Sequence, residues 1–94
     1  MIEQPKQLLE TNDYTYDLLE SYDKGSYVIT LYKQDIIAYE VQILRRYPKG
    51  RVFHGMDMSG KLRYPCNEDW GKYGWSYSNL NDAKDKIMNL LKIL

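Results

Sequence analysis

The chain has 94 residues, with 13 Lys and Arg balanced by 13 Asp and Glu, one His, one Cys and ten Tyr. That length allows a single small domain. Zero formal charge argues against a strongly basic nucleic-acid coat or an acidic tail, and a lone Cys has no internal partner for a disulfide scaffold. Hydrophobic residues make up 44% and aromatic residues 14%, enough for a packed core rather than a disordered tract.

Met1-Ile2-Glu3-Gln4-Pro5-Lys6 lacks the charged-then-apolar layout of a secretory signal. No stretch approaches the roughly 18 apolar residues of a membrane span. A soluble, cytoplasmic protein without membrane association is the expectation. The charge is unevenly spread. Residues 1–24 carry Lys6 and Lys24 against six acidic groups, a net of −4, and residues 25–66 carry a net of +4.

In chain order, residues 1–13 allow either a short helical turn from Pro5 to Glu10, with Pro at its first position, or a loose arm. Tyr14 to Tyr22 alternates, with Tyr14, Tyr16, Leu18 and Tyr22 on one side, and Asp23-Lys24-Gly25 follows as a turn. A strand is preferred there over a helix because Tyr and Thr favour pleated surfaces. Ser26 to Lys33 reads as a strand with Tyr27, Ile29 and Leu31 on one face and Val28, Thr30 and Tyr32 on the other. Ile36 to Tyr47 reads as a second, with Ile37, Tyr39, Val41 and Ile43 opposite Ala38, Glu40, Gln42 and Leu44. The short connections favour antiparallel hairpins over parallel crossovers. Residues 51–65 read as a smaller hairpin, Arg51 to His54 against Lys61 to Tyr64, with its turn around Asp57 to Gly60. Residues 65–78 form an aromatic loop with a short strand over Trp75 to Tyr77.

Asn79 is a suitable N-cap and Asp82 follows three residues on. Leu80, Ala83, Ile87, Leu90, Leu91 and Leu94 then recur at helical spacing over residues 79–94. That stripe needs a partner, and the apolar face of the strands is the only sizeable one. The expected architecture is one α+β domain spanning 1–94: an antiparallel β-meander over 14–64 with a C-terminal α-helix packed on one face.

Candidate chemistry is sparse. Cys66 and His54 are the one thiol and the one imidazole, and their spacing matches no nucleophile–base motif. One His and one Cys cannot close a zinc site, and no Gly-rich phosphate loop precedes a helix. No catalytic residue, metal ligand or cofactor is assigned, and the chain is expected not to be an enzyme. Arg45, Arg46, Lys49, Arg51, Lys61 and Arg63, interleaved with Tyr47, Phe53 and Tyr64, would suit single-stranded nucleic acid, with charges for phosphate and rings for stacking. Against that stands the zero overall charge, and a solvated hairpin explains the pattern as well. The segment from Pro65 to Tyr77 holds Trp70, Tyr73 and Trp75, residues suited to protein interfaces. In the alternative, Trp70 and Trp75 tuck under the helix. Ten Tyr exceed what so short a core can bury, so Tyr32 and others on the mixed face are candidates for an exposed binding surface.

Ala38-Tyr39-Glu40-Val41 with Ile43, then Pro65, Asn67-Glu68-Asp69-Trp70-Gly71, Gly74-Trp75-Ser76-Tyr77 and the Leu80/Ala83 helix form a recognisable pattern over roughly residues 36–91. It resembles a set of small uncharacterised proteins from tailed phages, prophages and related mobile elements, in which a YEV strand precedes a P-x-N-E-x-W-G loop and a helix. The resemblance implies an accessory protein of such an element, with a host or element-encoded protein as partner. It carries over no catalytic residue. Open sheet edges, or Leu91 and Leu94, would also permit a homodimer.

Overall fold

A computed structural model describes residues 2–11, 13–35 and 38–94. Its strands in chain order are β1 (Leu8–Glu10), β2 (Thr15–Asp23), β3 (Tyr27–Gln34), β4 (Ala38–Arg46), β5 (Val52–Phe53), β6 (Met56–Asp57), β7 (Leu62–Arg63) and β8 (Gly74–Tyr77), and the helix α1 (Leu80–Ile93) closes the chain. The fold is α+β, an antiparallel meander with one helix laid against it. The main sheet runs β1-β2-β3-β4, and the far edge of β4 is shared by β7 and β8. The strand start expected at Ile36 and the face position of Ile37 lie outside the described residues. No helix of the described residues is long and apolar enough to cross a membrane.

The β3–β4 ladder decides which side chains share a face. Ile29 lies opposite Ile43 and Leu31 opposite Val41, while Val28 lies opposite Leu44 and Thr30 opposite Gln42. Because side chains alternate along a strand, one face carries Ile29, Leu31, Val41 and Ile43. Against it α1 buries Ala83, Ile87 and Leu90, and Tyr22, Tyr27, Tyr39, Tyr73, Trp75 and Tyr77 flank the cluster. The Asn79 side chain accepts from the backbone N–H of Asn81 at 2.7 Å and starts the helix. Leu94 ends up exposed, beyond the stripe.

The opposite face is covered only in part. Val28, Leu44 and Leu62 form a small second cluster with Tyr64. The N-terminal arm lies across this end of the sheet. Glu3 donates its N–H to Gly60 and accepts from Leu62 N–H, the Lys6 N–H donates to the Tyr64 hydroxyl at 2.9 Å, and the Tyr32 hydroxyl donates to the Lys6 carbonyl at 2.8 Å. The arm is therefore neither loose nor helical, and Leu8–Glu10 instead pairs with β2. Leu8 and Leu9 alone cannot repay the nucleation cost of a short helix, whereas pairing with β2 sets Leu9 beside Tyr16.

Two further expectations are corrected. Tyr16, Leu18 and Tyr22 do not share a face. Leu18 pairs with Tyr32 but Glu20 pairs with Leu31, so Leu19 is an extra residue in β2. A one-residue bulge reverses the facing of everything beyond it. Tyr16 and Leu18 thus lie on the Tyr32 face, and Tyr22 lies on the helix face. The expected hairpin over 51–65 is also shorter. Val52–Phe53 pairs with Met56–Asp57 through His54-Gly55, both at positive φ (50° and 75°), as a two-residue type I′ turn requires. Leu62–Arg63 pairs instead with Arg45–Arg46, because Leu62 is buried against Val28 and Leu44.

Since Ile87 fills the main cluster, Ile87→Ala should destabilise the domain by about 2–5 kcal/mol. The same truncation at exposed Met88 should change it by less than about 0.5 kcal/mol. Urea denaturation followed by circular dichroism measures both.

Candidate functional site

The part of the second face left open by the arm is a trough of about 810 Å³. Tyr16, Glu40, Gln42 and Ser76 line it from the strands. Lys6 to Thr11 and the segment from Tyr64 to Trp70 bound it on either side.

Its aromatic wall is built by a close approach. The Trp70 ring lies on Gly74, where an added Cβ would collide with Cζ3, Cε3 and Cη2, the last at 3.0 Å. Only glycine leaves room for the ring there. A turn of 3₁₀ helix at Asn67–Asp69 brings the ring into place. Asp69 Oδ2 accepts from the Cys66 N–H at 3.1 Å and lies 3.3 Å from the Arg45 guanidinium. These partners, led by the Cys66 N–H, hold the Asp69 carboxyl below the ordinary Asp range. Gly74 pairs directly with Gln42 across the β4–β8 ladder, so the ring stands beside the polar floor.

That floor is centred on Glu40 and Gln42. Glu40 and Gln42 are two residues apart on one strand and so project from the same face. Gln42 donates Nε2–H to Glu40 Oε1 at 3.1 Å. An ionised carboxylate can only accept, so this bond turns the amide oxygen of Gln42 the other way. Gln42 is 6% exposed, and its Oε1 is buried without a hydrogen-bond donor. Burial pushes the Glu40 carboxyl above its ordinary value, partly opposed by hydrogen bonds from Gln42 and Tyr16. Among the described residues no cation pairs with Glu40.

The residues singled out from the sequence fall in several places. Trp70 lines the trough and is 41% exposed. Trp75 is on the helix face beneath Lys86, whose ammonium lies 4.1 Å from the ring centroid. The two indoles therefore do not both tuck under the helix. Tyr73 carries the Arg45 guanidinium at 3.8 Å on the helix side. Tyr32, expected on an exposed binding surface, is wholly buried. Desolvation raises its hydroxyl pKa, and the hydroxyl is used to hold the arm. The Tyr excess is mostly packing: of the ten, only Tyr14 is classed as exposed.

The six basic residues also separate. The Arg46 side chain is 7% exposed and donates to Asp23, Gly25, Glu3 and Gly60. Arg45 is committed to Asp69 and Tyr73. Lys49, Arg51, Lys61 and Arg63 are exposed. Cys66 directs its thiol at Asp69, and His54 sits against Phe53 in the β5–β6 turn. Among the described residues no three His, Cys, Asp or Glu side chains converge as a metal site.

Sequence reasoning missed Tyr16, Glu40, Gln42 and Tyr64 as parts of one site. The available signal was the pair Glu40 and Gln42, polar positions in an otherwise apolar strand. Their meeting with Trp70 depends on β8 pairing with β4, which spacing along the chain does not reveal. No known family model, curated protein or solved structure matches the chain.

Gly74→Ala should push the Trp70 ring off the sheet and destabilise the domain by about 1–3 kcal/mol. In a Trp75→Phe background the remaining indole emission should move to longer wavelength. Glu40→Gln should stabilise the free protein at pH 7, because it removes a carboxylate that burial disfavours. A carboxyl with a raised folded pKa costs most when ionised in both states. The advantage should therefore disappear in thermal melts as pH falls below the ordinary value of 4.5, where Glu40 is protonated folded and unfolded.

Proposed function

We propose that the chain is a non-enzymatic binding protein, acting as an accessory protein of a phage or related mobile element and engaging a partner protein through the trough on the uncovered face of its sheet. The observation that carries this reading is the trough itself: an aromatic wall, a polar floor with an unanswered acceptor, and one net exposed ring at Trp70. Interfaces concentrate their energy in such aromatic anchors beside desolvated polar groups. The mobile-element setting draws its support from the YEV strand and the P-x-N-E-x-W-G loop, and that loop supplies Trp70.

Nucleic-acid binding is the alternative. Exposed Lys49, Arg51, Lys61 and Arg63, and the exposed Phe53 ring, favour it. Commitment of Arg45 and Arg46 to internal partners weighs against it. The homodimer reading rests on β1, which pairs only with β2 among the described residues.

Affinity capture from host lysate separates the two binding readings. Wild type and a Lys49→Glu/Arg51→Glu variant should retain the same protein species after nuclease treatment, and Trp70→Ala should lose it. If the retained species is instead nucleic acid, lost on charge reversal and steeply released by salt, the trough reading is wrong. Retention of neither removes both.

A further inference from the structure

The trough holds an unanswered acceptor beside a half-buried carboxylate, and this pair specifies what enters it. Gln42 Oε1 is a buried acceptor with no donor, and a buried polar group without a partner costs free energy that a ligand's N–H can recover. Glu40 beside it keeps acceptor capacity after taking bonds from Gln42 and Tyr16, and no cation of the described residues answers its charge. The charged groups lining the trough are Glu10, Glu40 and Lys6, a negative balance. Lys6 turns its ammonium toward the Tyr64 ring, 5.9 Å from the centroid, at the margin of the trough. Trp70 offers an aromatic face next to both acceptors, and aromatic faces attract cations.

Resting on the binding role proposed above, we infer that the trough receives an arginine side chain of the partner protein. Its guanidinium pairs with the Glu40 carboxylate, stacks on the Trp70 ring and, as the Gln42 amide turns outward, donates a further N–H to Gln42 Oε1. Arginine fits better than lysine for two reasons. Its planar fork carries five donors, so it can serve two acceptors on one strand face while its plane lies against an indole. An ammonium is a compact point charge that holds its water more strongly. The trough is also much larger than one side chain, which leaves room for the backbone that carries the arginine. The same arrangement explains why an uncomplemented Glu40 is kept on a half-buried floor: its desolvation is offset only when a cation arrives.

The probe is a capped pentapeptide, Ala-Ala-Arg-Ala-Ala, titrated into ¹⁵N-labelled protein and followed by the Trp70 indole N–H and the Gln42 side-chain amide resonances. Saturable shifts of both are expected. The citrulline peptide, nearly isosteric but neutral, should produce none, and the lysine peptide should bind more weakly. Glu40→Gln, which is expected to remain folded, should weaken arginine-peptide binding about tenfold or more, and Trp70→Ala should weaken it as well. The assignment is overturned if the arginine peptide shifts neither resonance at about 10 mM. It is equally overturned if citrulline or lysine binds as well, or if Glu40→Gln binds unchanged. Partner capture that depends on Trp70 but survives Glu40→Gln would reject the arginine while leaving the binding role in place.

Discussion

The β3–β4 ladder is the constraint on which the rest of the molecule depends. Its register places Ile29, Leu31, Val41 and Ile43 on one side and Val28, Tyr32, Leu44, Glu40 and Gln42 on the other. A slip of one residue would exchange these sets. Both sides of the ladder are largely buried, but they are covered differently. A long apolar stripe on α1 closes the first side. On the second, a short arm and two residues of β7 cover only the end around Val28 and Leu44. The remaining end is the trough, which follows from having one helix for two faces.

Arg46 ties the start of the arm, at the Glu3 carbonyl, to the sheet. Its guanidinium reaches the Asp23 carboxylate and the carbonyls of Gly25, Glu3 and Gly60, so the β2–β3 turn, the arm and the approach to β7 meet at one buried cation. Asp23 is correspondingly held below its ordinary range, first by the Gly25 N–H and then by Arg46. A buried guanidinium with its donors answered fixes geometry more than it adds stability. What it fixes here is the start of the arm, ahead of the stretch from Lys6 that borders the trough. The Trp70 wall of the trough is fixed by Gly74, whose missing side chain admits the ring. The trough thus depends on an arm tied down at one end of β4 and a glycine paired with its middle.

Within the trough, the proposed binding role is opposed to stability. Among the described residues Glu40 is half-buried without a cation and Gln42 keeps an acceptor unanswered, both unfavourable to the free protein. Sites that break the rule of satisfied buried polar groups are where sequence and fold disagree for a functional reason. The basic groups show the opposite behaviour. Arg45 and Arg46 look like phosphate ligands along the chain, but the fold uses both internally.

The sequence by itself determined strands read over 14–22, 26–33 and 36–47, which the described residues show as Thr15–Asp23, Tyr27–Gln34 and Ala38–Arg46, and the capped helix with its packing on the face with Ile29 and Val41, because these depend on periods of 2 and 3.6 residues. Only the tertiary structure decided the bulge at Leu19, the burial of Tyr32, the strand at Leu8–Glu10 and the two sides taken by Trp70 and Trp75. Each of these depends on a partner distant in the chain: Leu31 for the bulge, the Lys6 carbonyl for Tyr32, β2 for the first strand, and Gly74 for Trp70. Local periodicity says which residues share a face, but not what covers that face, and coverage is what separates the core from the candidate site.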